Sequence, residues 1–213
     1  MAIKCTVALM FDMLDPLILQ AQQQSSLEVI AVVLALAYVW LAAKQHIACW
    51  LCALLSTAIY SYIFWEVTLP FQAALNLYYM LMAFYGWRQW RRREEEHVAV
   101  LSWSVNQHIL SIVSLALVTL LLAQLTAHWF DNNYAHLDAG ITVFSVFATL
   151  LVANKVRENW LYWIVIDMLA AYLYYANGLL LTAVLFVVYA VFAIYGYQQW
   201  GKQPSAYSAL RAE

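Results

Sequence analysis

The chain has 213 residues, of which 66% are hydrophobic and only 10% charged, with a formal net charge of −2 and a mean hydropathy of +0.71. A water-soluble domain carries about 25% charged residues, so these values exclude one and specify an all-α polytopic membrane protein. There is no basic surplus to hold nucleic acid, and three cysteines, two of them in Cys49-Trp50-Leu51-Cys52, make no disulfide framework.

Residues 1–26 read as an N-terminal arm, because Lys4 precedes an apolar run that Asp12, Asp15 and Pro16 interrupt before a signal-peptide core forms. Hydropathy then predicts spanning helices at 27–43, 47–65 and 70–87, the third opened by Pro70 as a first-turn proline. The charged run from Arg91 to Glu96 cannot lie in hydrocarbon and is placed in a solvated cytoplasmic linker, 91–106. A linker helix is expected at 107–127 and an external loop at 128–136. Helices at 137–153, 160–176 and 179–199 follow, with a cytoplasmic tail at 201–213. With the N-terminus outside, every lysine and arginine except Lys4 falls on the cytoplasmic side, which predicts an N-out, C-in topology. Trp50, Trp90 and Trp200 then lie at cytoplasmic helix ends and read as interface anchors.

Sliding the chain by 110 residues sets Glu28 on Asp138, Trp50 on Trp160, Tyr79 on Tyr189, Tyr85-Gly86 on Tyr195-Gly196 and Gln89-Trp90 on Gln199-Trp200, without a gap. The unit 27–90 therefore repeats as 137–200, with the fourth helix as the spare. Because the repeats start four crossings apart, they share one orientation, as in transporters whose substrate site lies between two parallel repeats. Gly86 and Gly196, equivalent across the repeat, read as sites of close helix packing.

The sixth predicted helix opens with Glu158-Asn159-Trp160 and places Asn159, Trp163 and Asp167 at i, i+4 and i+8, on one face. A carboxylate at the centre of a spanning helix costs roughly 2.5–3.5 kcal/mol on insertion scales, so this stripe is expected to face a bundle interior, and an intramembrane acid is a functional-site candidate. Gln72, Asn76 and Tyr79 share a face of the third helix, and Asp138, Thr142, Ser145 and Thr149 one of the fifth. The five histidines show no metal-ligand spacing, and no cofactor is expected.

The ENWxxWxxxD segment, the stretch LNLYYMLMAFYGWRQW that closes the first repeat, its counterpart FVVYAVFAIYGYQQW and the 3+1+3 arrangement together resemble the PnuC family of bacterial vitamin transporters. The resemblance covers about residues 27–200. It implies a SWEET-like fold, two parallel triple-helix bundles joined by a linker helix, in the bacterial inner membrane. It also implies uptake of nicotinamide riboside, or in relatives thiamine or riboflavin, by facilitated diffusion, with a cytosolic vitamin kinase trapping the product. Helix-rich transporters of this size often self-associate, so a homo-oligomer stays open.

Nicotinamide riboside and thiamine are flat permanent cations, which call for aromatic faces and a carboxylate; a desolvated cation–π contact contributes about 2 kcal/mol. Trp160, Trp163, Tyr60, Tyr79 and Tyr189 are the candidate platforms and Asp167 the acid. This favours a cation over neutral riboflavin. The third-helix prefix Gln-Ala-Ala-Leu-Asn-Leu-Tyr-Tyr and the acid at 167, where nicotinamide riboside members can carry an amide, place thiamine slightly ahead. A proton-coupled symporter using Asp167 or Asp138 is the alternative. An enzyme or receptor is disfavoured, because no nucleophile–base pair or output domain is visible.

Overall fold

The computed structural model describes residues 20, 25–66, 70–95, 100–126 and 134–202. Most of the predicted N-terminal arm, external loop and tail lie outside the described residues. Among the described residues there are seven long helices: α1 (Ser26–Ala43), α2 (Cys49–Glu66), α3 (Pro70–Glu95), α4 (Val105–Thr126), α5 (Ala135–Ala153), α6 (Asn159–Ala176) and α7 (Leu180–Trp200). Four of them, α1, α4, α5 and α7, are long and apolar enough to cross a membrane by length and composition alone. Helix α6 carries Asn159, Asp167 and several tyrosines, and α3 ends in arginines, so these score lower for reasons tied to what they hold.

The helix starts follow from local chemistry. At α1 the Ser25 hydroxyl accepts the Glu28 N–H, and the Glu28 carboxylate accepts the Ser25 N–H, a reciprocal capping box. Helix α3 begins at Pro70, where the missing N–H needs no partner. Its end corrects the sequence reading: the helix runs on to Glu95 instead of stopping at 87, so most of the Arg91–Glu96 run is helical rather than linker. Arginine and glutamate are good helix formers, Arg91 Nε lies 3.7 Å from the Glu95 carboxylate, and the arginines of the last turn complement the helix dipole. Water excludes such a run from lipid but does not unwind it.

Neighbour contacts run from α1 to α2, α2 to α3, α3 to α5, α5 to α6, α6 to α7 and α7 back to α1, a closed ring of six helices. Helix α4 lies along α5. Its Leu110, Leu121 and Leu125 are each more than 60% exposed, a face suited to lipid and not to water. The segment before α4 is not a free linker either. Leu101 pairs with Val156 as a parallel bridge, its N–H donating to the Lys155 carbonyl at 2.9 Å and its carbonyl accepting the Arg157 N–H at 2.8 Å. The Glu158 carboxylate accepts from the Ser102 hydroxyl at 2.5 Å and the Trp103 N–H at 3.1 Å, and His108 Nδ1 meets the Tyr162 hydroxyl at 3.0 Å.

The 110-residue periodicity reappears in local geometry. Gln45 and Lys155 are the two non-glycine residues with positive φ among those described, at 56° and 52°, and each closes the helix before it in the same way. The N–H groups of Gln45 and His46 reach the carbonyls of Ala42 and Leu41, and those of Lys155 and Val156 reach Val152 and Leu151. Left-handed backbone at a residue with a Cβ costs about 1–2 kcal/mol, and the carbonyls it satisfies would otherwise be orphaned at a buried helix end.

At this end of the ring the four tryptophans Trp50, Trp90, Trp160 and Trp200 are each at most 3% exposed. This corrects the reading of Trp50, Trp90 and Trp200 as interface anchors. Trp50 meets Trp90 edge-on with centroids 5.4 Å apart, Trp90 and Trp200 lie 6.1 Å apart, and Trp200 meets Trp160 edge-on at 5.5 Å. Trp90 Nε1 donates to the Val152 carbonyl and Trp200 Nε1 to the Ala42 carbonyl, both at 3.1 Å, so each half of the chain grips the other through equivalent residues. The cluster forms because Gly86 and Gly196 leave room for the rings: a Cβ on Gly86 would fall inside the Trp50 indole, and one on Gly196 inside that of Trp160. Both glycines therefore do serve close packing.

Candidate functional site: the interior of the helix ring

The α6 stripe is turned inward, as the cost of a carboxylate in lipid requires. Asn159 is fully buried, Asp167 is 4% exposed, and Trp163 is half-buried against the core between them. The Asn159 amide donates to the Val156 carbonyl at 2.6 Å, while its Oδ1 is buried with no partner among the described residues. Asn159 and Trp160 lie at the tryptophan end; Asp167 lies about two turns deeper.

Around Asp167 the ring interior is lined by phenols from several helices. Tyr189 of α7 is within electrostatic reach of both Asp167 and Tyr60 of α2. Tyr60 in turn reaches Glu28 of α1 and Tyr174 of α6, and Tyr79 of α3 reaches Tyr174 and is hydrogen-bonded to Ser145 of α5. Helices α2 and α7, α2 and α6, and α3 and α6 are not neighbours in the ring, so these side chains influence one another through its interior. Tyr79 and Tyr189 are equivalent under the 110-residue repeat, as are Glu28 and Asp138, but the position equivalent to Asp167 is Thr57. Thr57 satisfies its hydroxyl within α2, on the Ala53 carbonyl at 2.8 Å. The tyrosines are thus nearly two-fold in arrangement, whereas the acid at 167 belongs to one half alone.

Not every predicted site residue gathers there. Trp160 belongs to the tryptophan cluster, packed over Gly196 and against Trp200, and its Nε1 has no partner among the described residues. Asp138 stands exposed in the first turn of α5, with Tyr174 within electrostatic reach, and Thr142 follows it half-buried one turn on. Ser145 and Thr149 are buried on the same face, and Thr149 bonds its own helix at the Ser145 carbonyl, 2.8 Å away. Asn76 is half-buried on α3. The backbone of Gln72 is helical, while its side chain lies outside the described residues. Tyr174 is the residue that sequence reasoning missed. It stands seven positions after Asp167, two turns along the same face, so extending the polar stripe of α6 finds it.

Phenols beside a buried carboxyl group offer flat π faces and an acidic partner, with no nucleophile paired with a base among the described residues there. Such groups are suited to holding a flat cation. The family model described as "Nicotinamide mononucleotide transporter" matches residues 25–202. The nicotinamide riboside transporter PnuC of Neisseria mucosa is 27% identical over 208 residues, covering 91% of this chain and 79% of that protein. PnuC of Escherichia coli is 21% identical, covering 83% of this chain and 85% of that one. A crystal structure of the vitamin B3 transporter PnuC superimposes with a TM-score of 0.68 at 26% identity, covering 89% of this chain and 88% of that chain. The chain belongs to the nicotinamide mononucleotide transporter family, the PnuC membrane transporters, and is a transporter rather than an enzyme.

Proposed function

We propose that this protein carries a flat, permanently cationic vitamin through the ring interior, and that Asp167, with Tyr60 and Tyr189, forms the centre of the binding site. The observation that carries this reading is the burial of Asp167, with Tyr189 of α7 within electrostatic reach of both it and Tyr60 of α2. Nicotinamide riboside is the first substrate to test, because the PnuC relatives of Neisseria mucosa and Escherichia coli bear that name. Thiamine is the second, suggested by an acid at position 167 where nicotinamide riboside members can carry an amide. Trp163 and Tyr174, on the same face of α6, supply further faces, and Tyr79 and Asn76 of α3 the opposite wall. Asn159, Gln72, Asp138 and Thr142 are assigned to the ends of the path.

In this reading the helices form two parallel three-helix bundles, α1–α3 and α5–α7, joined by α4, with the N-terminus outside and the C-terminus in the cytoplasm of a bacterial cell. The cycle of neighbours is what supports it: α1 against α7 and α3 against α5 are equivalent seams under the repeat. Transport is facilitated diffusion, and a cytosolic kinase that phosphorylates the vitamin holds the gradient inward.

The test is a titration of the purified protein with nicotinamide riboside, thiamine and riboflavin, followed by intrinsic tryptophan fluorescence. One of the two cations should quench saturably. At an effective dielectric of about 20, a cation roughly 6 Å from the carboxylate gains about 3 kcal/mol, so Asp167→Asn should weaken binding by roughly 100-fold. Equal binding of riboflavin, or an unchanged affinity in Asp167→Asn, would sink the assignment. In proteoliposomes, uptake that collapses with an uncoupler would replace facilitated diffusion by proton symport.

A further inference from the structure

The two halves of the chain make equivalent grooves beside the tryptophan cluster, and only one of them is strongly basic. In the second half, Tyr195 and Gln199 of α7 line a cavity of about 200 Å³ with Ala43, Lys44 and Gln45. In the first half, the matching Tyr85 and Gln89 of α3 line one of about 600 Å³, together with Arg88, Arg91, Arg92 and Glu95. Under the repeat, Arg88, Arg91 and Arg92 correspond to Gln198, Gly201 and Lys202. A role in holding the fold common to both halves would not call for guanidinium groups in one of them.

Position along the helix says what this groove faces. Helix α3 has 26 residues, roughly 39 Å at 1.5 Å per residue, against a hydrocarbon core about 30 Å thick. Phe84, Tyr85 and Trp87 are all exposed large hydrophobics, and tyrosine and tryptophan so placed mark the level of the lipid headgroups. Arg88 and Arg92 follow within the next two turns on the helix face that carries Tyr85, with Arg91 beside them, so they sit at the depth of the phosphates. Among the described residues that line the groove, three guanidiniums accompany one carboxylate, Glu95, which lies 3.7 Å from Arg91 Nε.

The geometry points to a binding site for the headgroup of an anionic phospholipid in the groove formed by Tyr85, Arg88, Gln89, Arg91 and Arg92. Planar guanidiniums present paired N–H donors that match the oxygens of a phosphodiester, and the acyl chains lie along the apolar flank that begins at Phe84 and Leu81. Zwitterionic lipid has the same phosphate, but its ammonium group meets the same arginines and opposes it.

The full-length protein in detergent should be titrated with dioctanoyl-phosphatidylglycerol, dioctanoyl-phosphatidylcholine and inorganic phosphate, each scored by the shift in melting temperature and by native mass spectrometry. Phosphatidylglycerol should raise the melting temperature saturably and remain bound, whereas the other two should do neither. A basic residue close to an anionic membrane surface is worth about fivefold in affinity, so Arg88→Gln/Arg91→Gln/Arg92→Gln should weaken binding by roughly 100-fold. Glu95→Gln removes the opposing charge and should tighten it. The proposal is overturned if the triple variant binds phosphatidylglycerol as the unmodified protein does, if phosphatidylcholine binds equally, or if phosphate alone reproduces the shift.

Discussion

Gly196→Ala tests whether the tryptophan cluster is as tightly fixed as its geometry implies. The added Cβ would fall inside the Trp160 indole, with ring atoms as its three nearest neighbours. That ring has nowhere to retreat: it is 3% exposed and its other side meets Trp200 edge-on at 5.5 Å. Overpacking of this kind costs about 1–3 kcal/mol, and in a chain of this size each kcal/mol moves the melting temperature by about 2–4 °C. Gly196→Ala should therefore lower the melting temperature, read by intrinsic fluorescence in detergent, by roughly 3–10 °C. Gly86→Ala should do the same, because Trp50 covers it in the equivalent way. Gly140→Ala is the control, since its Cβ would meet only the Thr119 methyl at 3.6 Å, an ordinary contact. There the gain in helix propensity, up to about 1 kcal/mol, should dominate. If Gly196→Ala melts with Gly140→Ala, the close packing of Trp160 on α7 is wrong.

Two further outcomes follow from the same end of the molecule. Trp90→Phe and Trp200→Phe each remove one indole hydrogen bond from a buried carbonyl, of Val152 or Ala42, that still accepts the Lys155 or Gln45 N–H, a loss of about 0.5–1.5 kcal/mol; Trp160→Phe, whose Nε1 has no partner among the described residues, should cost less in the same melting assay. Burial holds the Lys155 ammonium below the usual lysine value, with Arg93 adding to the effect and Glu94 and Cys49 opposing it. The folded protein thus releases this proton at lower pH than the unfolded chain. The penalty is fully present below the folded value and fades as pH rises towards the unfolded lysine value of about 10.4. Lys155→Met should therefore raise the melting temperature at neutral pH, by an amount that shrinks as the pH is raised; a difference independent of pH would refute the reasoning.

Most of the fold was legible because lipid permits few solutions. Long apolar segments had to be helices, and their order and number could be read from hydropathy. The inward turn of Asn159, Trp163 and Asp167 was legible for the same reason, since an acid is costly on the lipid face. The tryptophans were misread because a tryptophan at a helix end has two good fates, the interface and the core, and composition does not separate them. Pairing does: Trp50 with Gly86 recurs as Trp160 with Gly196, and a ring and a gap repeated together signal an internal contact. The end of α3 was missed because a charged run marks the limit of hydrocarbon, which is not the limit of a helix. Tyr174 escaped because tyrosine on a spanning helix suits lipid interface and cavity alike, and only its register with Asp167 distinguishes them.

The exchange of tryptophan hydrogen bonds has a mechanical meaning. Trp90 holds the carbonyl of Val152 and Trp200 that of Ala42, so the halves are clasped at one end by two bonds of opposite sense, like linked hands. Sliding one half past the other would break both at once. The clasp therefore fixes the two halves in register along their length, so that equivalent helices stay level with one another at this end.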